Sequence, residues 1–192
     1  RQAGFENLLT FDMGGTTAKI CLIDGGRPQT SRTFEVDRQY RFTKGSGLPL
    51  RIPVIEMVEI GAGGGSIAQI DNLGRIQVGP ESAGSEPGPA CYGQGGTGAT
   101  VTDADVALGR IAPAGFAGGS VQLSPDLAEA ALDETIAQKL NLDGPLAAFA
   151  VSEMVEENMS NAARVHAVEQ GKELAERTLI AFGGAAPLHA CR

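Results

Sequence analysis

Near its start the chain reads Leu8-Leu9-Thr10-Phe11-Asp12-Met13-Gly14-Gly15-Thr16-Thr17-Ala18-Lys19-Ile20-Cys21-Leu22-Ile23. The two apolar runs predict a strand and a returning strand, and Gly14-Gly15 permits a tight turn between them because glycine tolerates positive φ. Backbone N–H groups in such a turn, together with the hydroxyls of Thr16-Thr17, can cradle a phosphate. A carboxylate at the strand end, here Asp12, suits a magnesium ion or a water. The stretch therefore predicts a β-hairpin whose turn binds a phosphate and its metal.

An ordinary hairpin accounts for the same pattern, since glycine pairs between apolar runs are common in hairpin turns. The sequence lacks the Gly-Lys-Thr or Gly-Lys-Ser of a Walker loop at the required spacing. It also lacks the helix that follows the glycines of a dinucleotide-binding fingerprint, because Ala-Lys-Ile-Cys-Leu-Ile is a strand-forming run. Taken alone, the turn leaves the structural and the phosphate-binding interpretations open.

Composition and charge narrow the class of protein. The chain has 192 residues, of which 42% are hydrophobic and 20% charged, as is typical of a globular protein with a sizeable core. A net charge of −8 without a basic run argues against a nucleic-acid partner, and no apolar stretch is long enough for a transmembrane helix. Three widely spaced cysteines, Cys21, Cys91 and Cys191, predict neither a disulfide framework nor a zinc site. These features favour a cytoplasmic protein that binds neither nucleic acid nor a membrane.

Both ends of the chain fall close to regular structure. The chain begins at Arg1 and soon enters a predicted strand, and it stops at Arg192 inside a predicted helix. We expect a fragment of a longer polypeptide that folds as a single lobe over residues 1–192, with 38–100 as an inserted strand-and-loop region.

Two further glycine-rich turns adjoin predicted strands. Strand patterns occur in the segments 30–36, 52–60, 66–71, 75–78 and 178–182, the last being fully apolar and predicted to be buried. The glycine-rich loop 61–66 makes Gly63 and Gly64 candidates for close contact with a ligand, although a flexible hairpin loop explains them too. Gly183-Gly184 stands between the last strand and a predicted helix, where nucleotides commonly bind. An ordinary strand-to-helix turn is the alternative there.

Two segments, 38–50 and 80–100, are predicted to be loops. The first is polar, and the basic residues in it or next to it, Arg38, Arg41, Lys44 and Arg51, either meet an anionic ligand or are simply solvated. The second is too rich in proline and glycine for regular structure. It contains Cys91, a candidate nucleophile, but no histidine lies nearby in sequence to activate the thiol, which favours a structural role.

Helices are predicted over about 102–108, 124–140 and 146–170. Thr102 is the expected cap of the first helix, and Ser124-Pro125 is a strong start signal for the second. Asp103 is a candidate catalytic acid, but an acid in the first turn of a helix is also favoured by the helix dipole. The two histidines, His166 and His189, are predicted to be structural because neither has a visible partner in sequence.

The order of these elements resembles one lobe of the actin, sugar kinase and Hsp70 superfamily, which is built on a ribonuclease H-like mixed sheet. Several blocks resemble more narrowly the hydantoinase/oxoprolinase family of the A-subunit type, which includes ATP-dependent N-methylhydantoin hydrolases, 5-oxoprolinases and acetone carboxylases. The blocks are Phe11–Lys19, Ile60–Ala68, Gly79–Gly84, Pro87–Gly93, Thr100–Ala104 and Ala181–Gly184. The chain departs from many members at Ala18-Lys19, where they have Thr-Asp, and at Ala186, where they have glycine. The resemblance implies an α/β fold: one ribonuclease H-like lobe with a mixed sheet, flanking helices and a Gly/Pro-rich insertion.

The resemblance also implies an enzyme that uses ATP and Mg²⁺ to phosphorylate the carbonyl of a cyclic amide, such as a hydantoin or 5-oxoproline, or of a ketone. Ring opening or carboxylation would follow. Asp12 is the implied catalytic and metal-binding acid, with Asp103 as a second choice. The candidate nucleotide contacts are Gly14, Gly15, Thr16, Thr17, Lys19, Gly63, Gly64, Gly183, Gly184 and Pro187.

A nucleotide clamp of this superfamily has two lobes. The remaining lobe of the same polypeptide would complete the site, so the isolated chain is expected to be inactive, and a B-type subunit is a possible further partner. Another kinase of the same superfamily and a non-catalytic scaffold lobe remain open as alternatives.

Overall fold

The computed structural model describes residues 3–37, 39 and 45–191. The strands are β1 (Leu8–Met13), β2 (Ala18–Asp24), β3 (Arg27–Pro28), β4 (Thr30–Ser31), β5 (Phe34–Val36), β6 (Leu48–Leu50), β7 (Val54–Ile55), β8 (Met57–Ile60), β9 (Ser66–Ile70), β10 (Ile76–Ser82) and β11 (Thr178–Phe182). The helices are α1 (Val101–Ala107), α2 (Pro125–Leu132), α3 (Gln138–Leu140), α4 (Gly144–Glu169) and α5 (Ala186–His189). A π-helical segment, Asp133–Ala137, joins α2 to α3, and short 3₁₀ turns occur at Ala90–Tyr92 and Phe116–Gly119.

The main sheet is built around the predicted hairpin. Strand β1 pairs antiparallel with β2 and parallel with β11, while β2 also pairs antiparallel with β3 and β8. Smaller two-stranded sheets pair β9 with β10, β4 with β7 and β5 with β6. The mixed sheet with its helices confirms the α/β architecture predicted from the sequence.

The core lies between one face of this sheet and α4. Alternating side chains of β1 and β2 point to that face and are buried there: Phe11, Met13, Ala18, Ile20 and Leu22. Helix α4 contributes Val151, Val155 and Met159. The apolar spacing of its sequence predicts a buried stripe of Val151, Met154, Val155, Asn158, Ala162 and Val165, which is wrong at Asn158 and Val165 because both are exposed. The true seam runs through alanines, whose small side chains carry little hydrophobic signal.

Three predicted strand and loop assignments require correction. The strand expected over 30–36 is interrupted, and its halves pair with different partners, β4 with β7 and β5 with β6. The loop expected over 38–50 ends in a paired strand, β6, while Arg38, Arg41 and Lys44 lie outside the described residues. The loop expected over 80–100 begins inside β10 and contains a 3₁₀ turn.

Strand β11 is not buried as predicted. Leu179, Ile180 and Phe182 are 41%, 39% and 48% exposed. The reason is its position, because among the described strands β11 pairs only with β1 and so forms an edge of the sheet.

The region predicted as an insertion, 38–100, is divided between two kinds of structure. Its strand β8 joins the main sheet, whereas β6, β7, β9 and β10 belong to the smaller sheets. Its description as an insertion into a single lobe stays a prediction. Within the described residues, no helix has both the length and the apolar character that crossing a membrane requires.

Candidate functional site

Three glycine-rich turns lie together at one end of the main sheet: the first turn (residues 14–17), the second turn (residues 61–66) and the third turn (residues 183–185). The first turn closes the predicted β1–β2 hairpin. The N–H groups of Gly64 and Gly65 donate to the carbonyl oxygens of Gly14 and Gly15 at 3.0 and 2.7 Å. The second turn is therefore hydrogen-bonded directly to the first.

Gly63 allows this close approach of two backbones. A Cβ atom added at Gly63 would stand 2.5 Å from the Thr16 nitrogen and 2.6 Å from the Gly15 carbonyl carbon. Both atoms belong to the backbone, so a side chain at this position would separate the turns.

The third turn packs against the end of β1. The N–H of Ala185 donates to the Met13 carbonyl oxygen at 2.9 Å. Gly183 has a φ of +94°, and a Cβ added there would stand 2.5 Å from Asp12 Oδ1 and 2.6 Å from the Met13 oxygen. Position 183 therefore favours glycine for two reasons: its backbone is left-handed, and a side chain there would overlap the Asp12 carboxylate.

The outer side of the first turn is open. Gly15 and Thr16 are exposed, and a Cβ at Gly14 or Gly15 would have no atom within 4 Å. Within the part of the chain that the structure describes, the N–H groups of Gly15 and Thr16 have no hydrogen-bond acceptor. Neighbouring N–H groups of this kind form a concave donor set for an anion.

Asp12 and Lys19 face the same side of the sheet. The strand register places Phe182, Asp12, Lys19 and Glu59 in one row across β11, β1, β2 and β8. Lys19 Nζ lies 3.9 Å from Glu59 Oε1, and the two side chains are 44% and 51% exposed. An exposed pair of this length is weak, so Lys19 can leave Glu59 for a stronger anion.

The remaining predicted nucleotide contacts lie at the third turn. Gly184 is exposed, and a Cβ there would meet no atom within 4 Å. Pro187 is exposed in the first turn of α5. Their contact with adenosine stays a prediction.

Asp103 lies away from the open side of the turns. Its carboxylate is fully buried and accepts hydrogen bonds from the N–H groups of Ala90, Cys91 and Thr100 at 3.2, 2.8 and 2.9 Å. It also accepts from Thr100 Oγ1 at 2.8 Å, while the Thr100 hydroxyl accepts from the Asp103 N–H. This capping box makes Thr100 the helix cap, which corrects the prediction of Thr102. The contacts support the structural interpretation of Asp103.

Cys91 lies against the same carboxylate. Its side chain is fully buried, and burial, followed by the charge of Asp103, raises the pKa of the thiol. A protonated, enclosed thiol is a poor nucleophile. The geometry thus supports the structural role for Cys91.

Thr102 has a different function from the predicted one. Its N–H and Oγ1 both donate to the Gly64 carbonyl oxygen, at 2.7 and 2.8 Å. Helix α1 is therefore attached through its first turn to the second glycine turn.

Sequence reasoning missed a buried group of charges behind the third turn, here named the charged cluster: Asp105, Arg110, Ser152, Glu156 and His189. Arg110 Nη1 lies 3.1 Å from both Asp105 Oδ1 and Glu156 Oε1, and it donates to Ser152 Oγ at 2.6 Å. His189 Nδ1 lies 3.0 Å from Glu156 Oε1, and its Nε2 lies 3.2 Å from Asp105 Oδ2. The cluster thereby joins α1, α4 and α5.

The charged cluster favours a protonated imidazole. Burial lowers the pKa of His189, but the nearby carboxylates of Asp105 and then Glu156 outweigh it, and the net pKa is raised. Burial raises the pKa of Glu156, but His189, Ser152 and Arg110 together outweigh it, and the net pKa is lowered. The one local signal in the sequence was Ser152 followed by Glu156 four residues later, on the buried side of a helix.

The hydantoinase/oxoprolinase family matches this chain over residues 1–192. The chain is 41% identical over 189 residues to caprolactamase subunit alpha from Pseudomonas jessenii, a match that covers 98% of this chain and 26% of that protein. It is 39% identical over 189 residues to the acetophenone carboxylase gamma subunit from Aromatoleum aromaticum, covering 97% of this chain and 24% of that protein.

A solved structure gives the same result. The crystal structure of the ATP-dependent caprolactamase from Pseudomonas jessenii aligns with a TM-score of 0.85 at 39% identity, covering 100% of this chain and 26% of that chain. The present chain thus spans about a quarter of the length of these relatives. The match over the whole of its length, with several relatives at this level of identity, shows that the chain belongs to the hydantoinase/oxoprolinase family.

Proposed function

We propose that this chain forms one half of an ATP site in an enzyme that activates the carbonyl group of a cyclic amide or a ketone. The observation that carries the proposal is the first turn, which follows Asp12-Met13 and in which the N–H groups of the exposed Gly15 and Thr16 have no acceptor among the described residues. The second turn holds the carbonyl oxygens of Gly14 and Gly15, which belong to the same peptide groups as these two N–H donors, so the donors are fixed in place for a phosphate.

The residues of the site fit a nucleotide phosphate. The two N–H groups and the hydroxyls of Thr16 and Thr17 would donate to phosphate oxygens, and Lys19 would add a positive charge from the same face. ATP, when bound, supplies the phosphoryl group that makes an unreactive amide or ketone oxygen a good leaving group. The chain's own contribution is to hold the phosphates and to orient them relative to Asp12.

The residues also fit Mg²⁺ rather than a metal held by protein alone. Within the described residues, no group of three or more His, Cys, Asp or Glu side chains is placed to share a metal ion. Mg²⁺ is commonly bound by one or two carboxylates with phosphate and water oxygens completing its shell, and Asp12 would be such a ligand.

The substrate class follows from the relatives. One is named for a lactam and another for an aromatic ketone, and the group that these two compounds share is a carbonyl. We place the substrate site and the second half of the nucleotide site in the rest of the polypeptide or in a B-type subunit, since relatives are named as subunits. Cys21, Cys91 and Cys191 are free thiols, which supports a cytoplasmic location.

The test is ATP turnover by the full-length protein carrying Asp12→Asn, measured with hydantoin, 5-oxoproline, caprolactam and ketones as substrates. We expect ATP turnover to fall about 100-fold or more, because the substitution removes a charge from the phosphate and metal site. Asp126→Asn, on the exposed surface of α2, is the matched control and should keep wild-type turnover.

Two results would contradict the proposal. Unchanged turnover in the Asp12→Asn protein would favour a scaffold lobe. Phosphate release stimulated by sugars and by none of the amides or ketones would favour another kinase of the superfamily.

A further inference from the structure

We infer that His189 is a positioning residue for the nucleotide turns, holding the third turn in place by pinning α5 to α1 and α4. The inference rests on the proposed function, because it assigns a purpose to the turn that would receive the nucleotide.

His189 is joined to the third turn by a short connection. Helix α5 is a single turn that begins at Ala186, immediately after the third turn, and ends at His189. The imidazole is fully buried and contacts Asp105 and Glu156 on opposite sides of the ring. Movement of the imidazole out of the cluster would therefore move the third turn with it.

The same imidazole is also linked to the second turn, through helix α1. Asp105, which contacts His189, lies on α1 three residues after Thr102. Thr102 holds the Gly64 carbonyl through two hydrogen bonds. The second turn, which is bonded to the first turn, and the third turn, which packs against the end of β1, are thus also joined to each other through α1 and His189.

The balance of charge in the charged cluster depends on the protonation of His189. The titratable and charged groups facing His189 are Asp105 from α1, Glu156 from α4 and Arg110 from the segment that follows α1. With a protonated His189 the cluster has two negative and two positive groups. A neutral imidazole leaves one buried negative charge unbalanced, which is costly in a buried site.

Protonation of His189 is therefore coupled to the position of α5. The pKa of His189 is raised above its usual value. The stabilisation of α5 by the protonated imidazole is therefore complete below about pH 6.5, the pKa in the unfolded chain, and is lost as the pH rises through the higher pKa of the folded protein. The third turn should loosen over that same window, and nucleotide affinity should fall with it.

The experiment uses the full-length enzyme and two measurements across pH 6 to 9.5. Hydrogen exchange followed by mass spectrometry, without nucleotide and corrected for the intrinsic pH dependence of exchange, reports the order of residues 183–191. Titration with ATP reports the dissociation constant, and steady-state kinetics separate kcat from the KM for ATP.

In the wild type we expect protection of residues 183–191 from exchange to be constant at low pH and to fall as His189 loses its proton. The ATP dissociation constant should rise over the same pH range, with the same midpoint. His189→Gln, which cannot carry a charge, should give low protection at every pH and a KM for ATP at least tenfold higher at pH 6.5, with a smaller change in kcat. His166→Gln, the control for the other histidine of the chain, should keep the wild-type profile.

Glu156→Gln tests the charge balance independently and covers the case in which His189→Gln fails to fold. With one carboxylate removed, a neutral imidazole leaves the cluster balanced, so the midpoint of both measurements should move to lower pH. A midpoint that stays in place, or wild-type protection in the His189→Gln protein, would overturn the inference. If the wild type shows the pH-dependent protection but binds no ATP, the proposed function fails while the coupling of His189 to the third turn stands.

Discussion

Replacing Gly183 by alanine tests the packing of the third turn against Asp12. The backbone φ of +94° costs an L-residue about 1–2 kcal/mol. The new Cβ would also stand 2.5 Å from Asp12 Oδ1 and 2.6 Å from the Met13 oxygen. The carboxylate can rotate away, but the Met13 oxygen is backbone and accepts the Ala185 N–H at 2.9 Å. The overlap must then be relieved by a shift of the turn, which costs about 1–3 kcal/mol in a well-packed site.

The combined cost of about 2–5 kcal/mol is divided between the stability of the lobe and the affinity for nucleotide. We expect ATP binding by the full-length Gly183→Ala protein, measured by calorimetric titration, to weaken at least tenfold, or about 1.4 kcal/mol. The urea midpoint should fall as well.

Two glycine variants separate the contributions. Gly171→Ala has a φ of +63° and open space around its Cβ, so it measures backbone strain alone. Gly144→Ala has open space without a positive φ and should be close to neutral. A Gly183→Ala protein with the same urea midpoint as Gly171→Ala, or one that binds ATP within twofold of the wild type, would show that the packing of the third turn against Asp12 and Met13 carries no such cost.

Three further results are expected. Gly63→Ala should weaken ATP binding and lower the urea midpoint, since its Cβ overlaps the backbone of the first turn, whereas Gly98→Ala, whose Cβ has an ordinary contact at 3.7 Å, should do neither. Arg177→Met should cost about 2–3 kcal/mol in urea unfolding because it removes hydrogen bonds to two carbonyls at the far end of the hairpin and the ion pair with Asp24. The Arg177 hydrogen bond lowers the pKa of Asp24, so the part of the stabilisation that comes from the Asp24 ion pair is present above about pH 4 and is lost at lower pH. The urea midpoints of the wild type and the Arg177→Met protein should therefore approach each other at low pH, and a constant difference would contradict this. Cys91 should resist alkylation in the native protein, followed by mass spectrometry, and modification as fast as that of the exposed Cys191 would contradict its enclosure.

The features that the sequence predicted well are encoded locally. The β1–β2 hairpin requires only two apolar runs and a turn that glycine can form, and all of that information lies within residues 8–23. The start of α2 is equally local, since the Ser124 hydroxyl accepts the Leu127 N–H and Pro125 follows at the first helical position. The error at the start of α1 was also local in origin: Thr100 and Thr102 are both capping residues by type, and the reciprocal bonds of Asp103 select the earlier one.

Burial of β11 was not predictable from composition. Leu179 and Ile180 form an apolar run of the kind found in buried strands, yet burial depends on what lies beside a strand. The pattern gives a preference of the side chains for an apolar environment. It contains no information on whether β11 is central or at an edge within the described residues.

The contacts that assemble the site are long-range and leave still less trace in the sequence. Glu156 and His189 stand 33 residues apart in the sequence, and no local spacing identifies either as the partner of the other. The meeting of Gly63 with the first turn depends on the pairing of β8 with β2, which no local spacing specifies. Family resemblance supplied the expectation that the glycine turns converge, and the residues alone did not.

The geometry assigns different tasks to backbone and side chain. The Gly15 and Thr16 N–H groups of the first turn point away from the second turn, because the carbonyl oxygens of the same planar peptide groups accept hydrogen bonds from Gly64 and Gly65. Side chains at the site lie mostly behind the turns: Thr102 holds the second turn, and His189 holds the third through α5. Fixed donors are useful to a phosphate only if the turns that carry them do not move relative to one another. For that reason we expect substitutions in the buried bracing residues to act on nucleotide affinity, while those at Asp12 act on the chemical step.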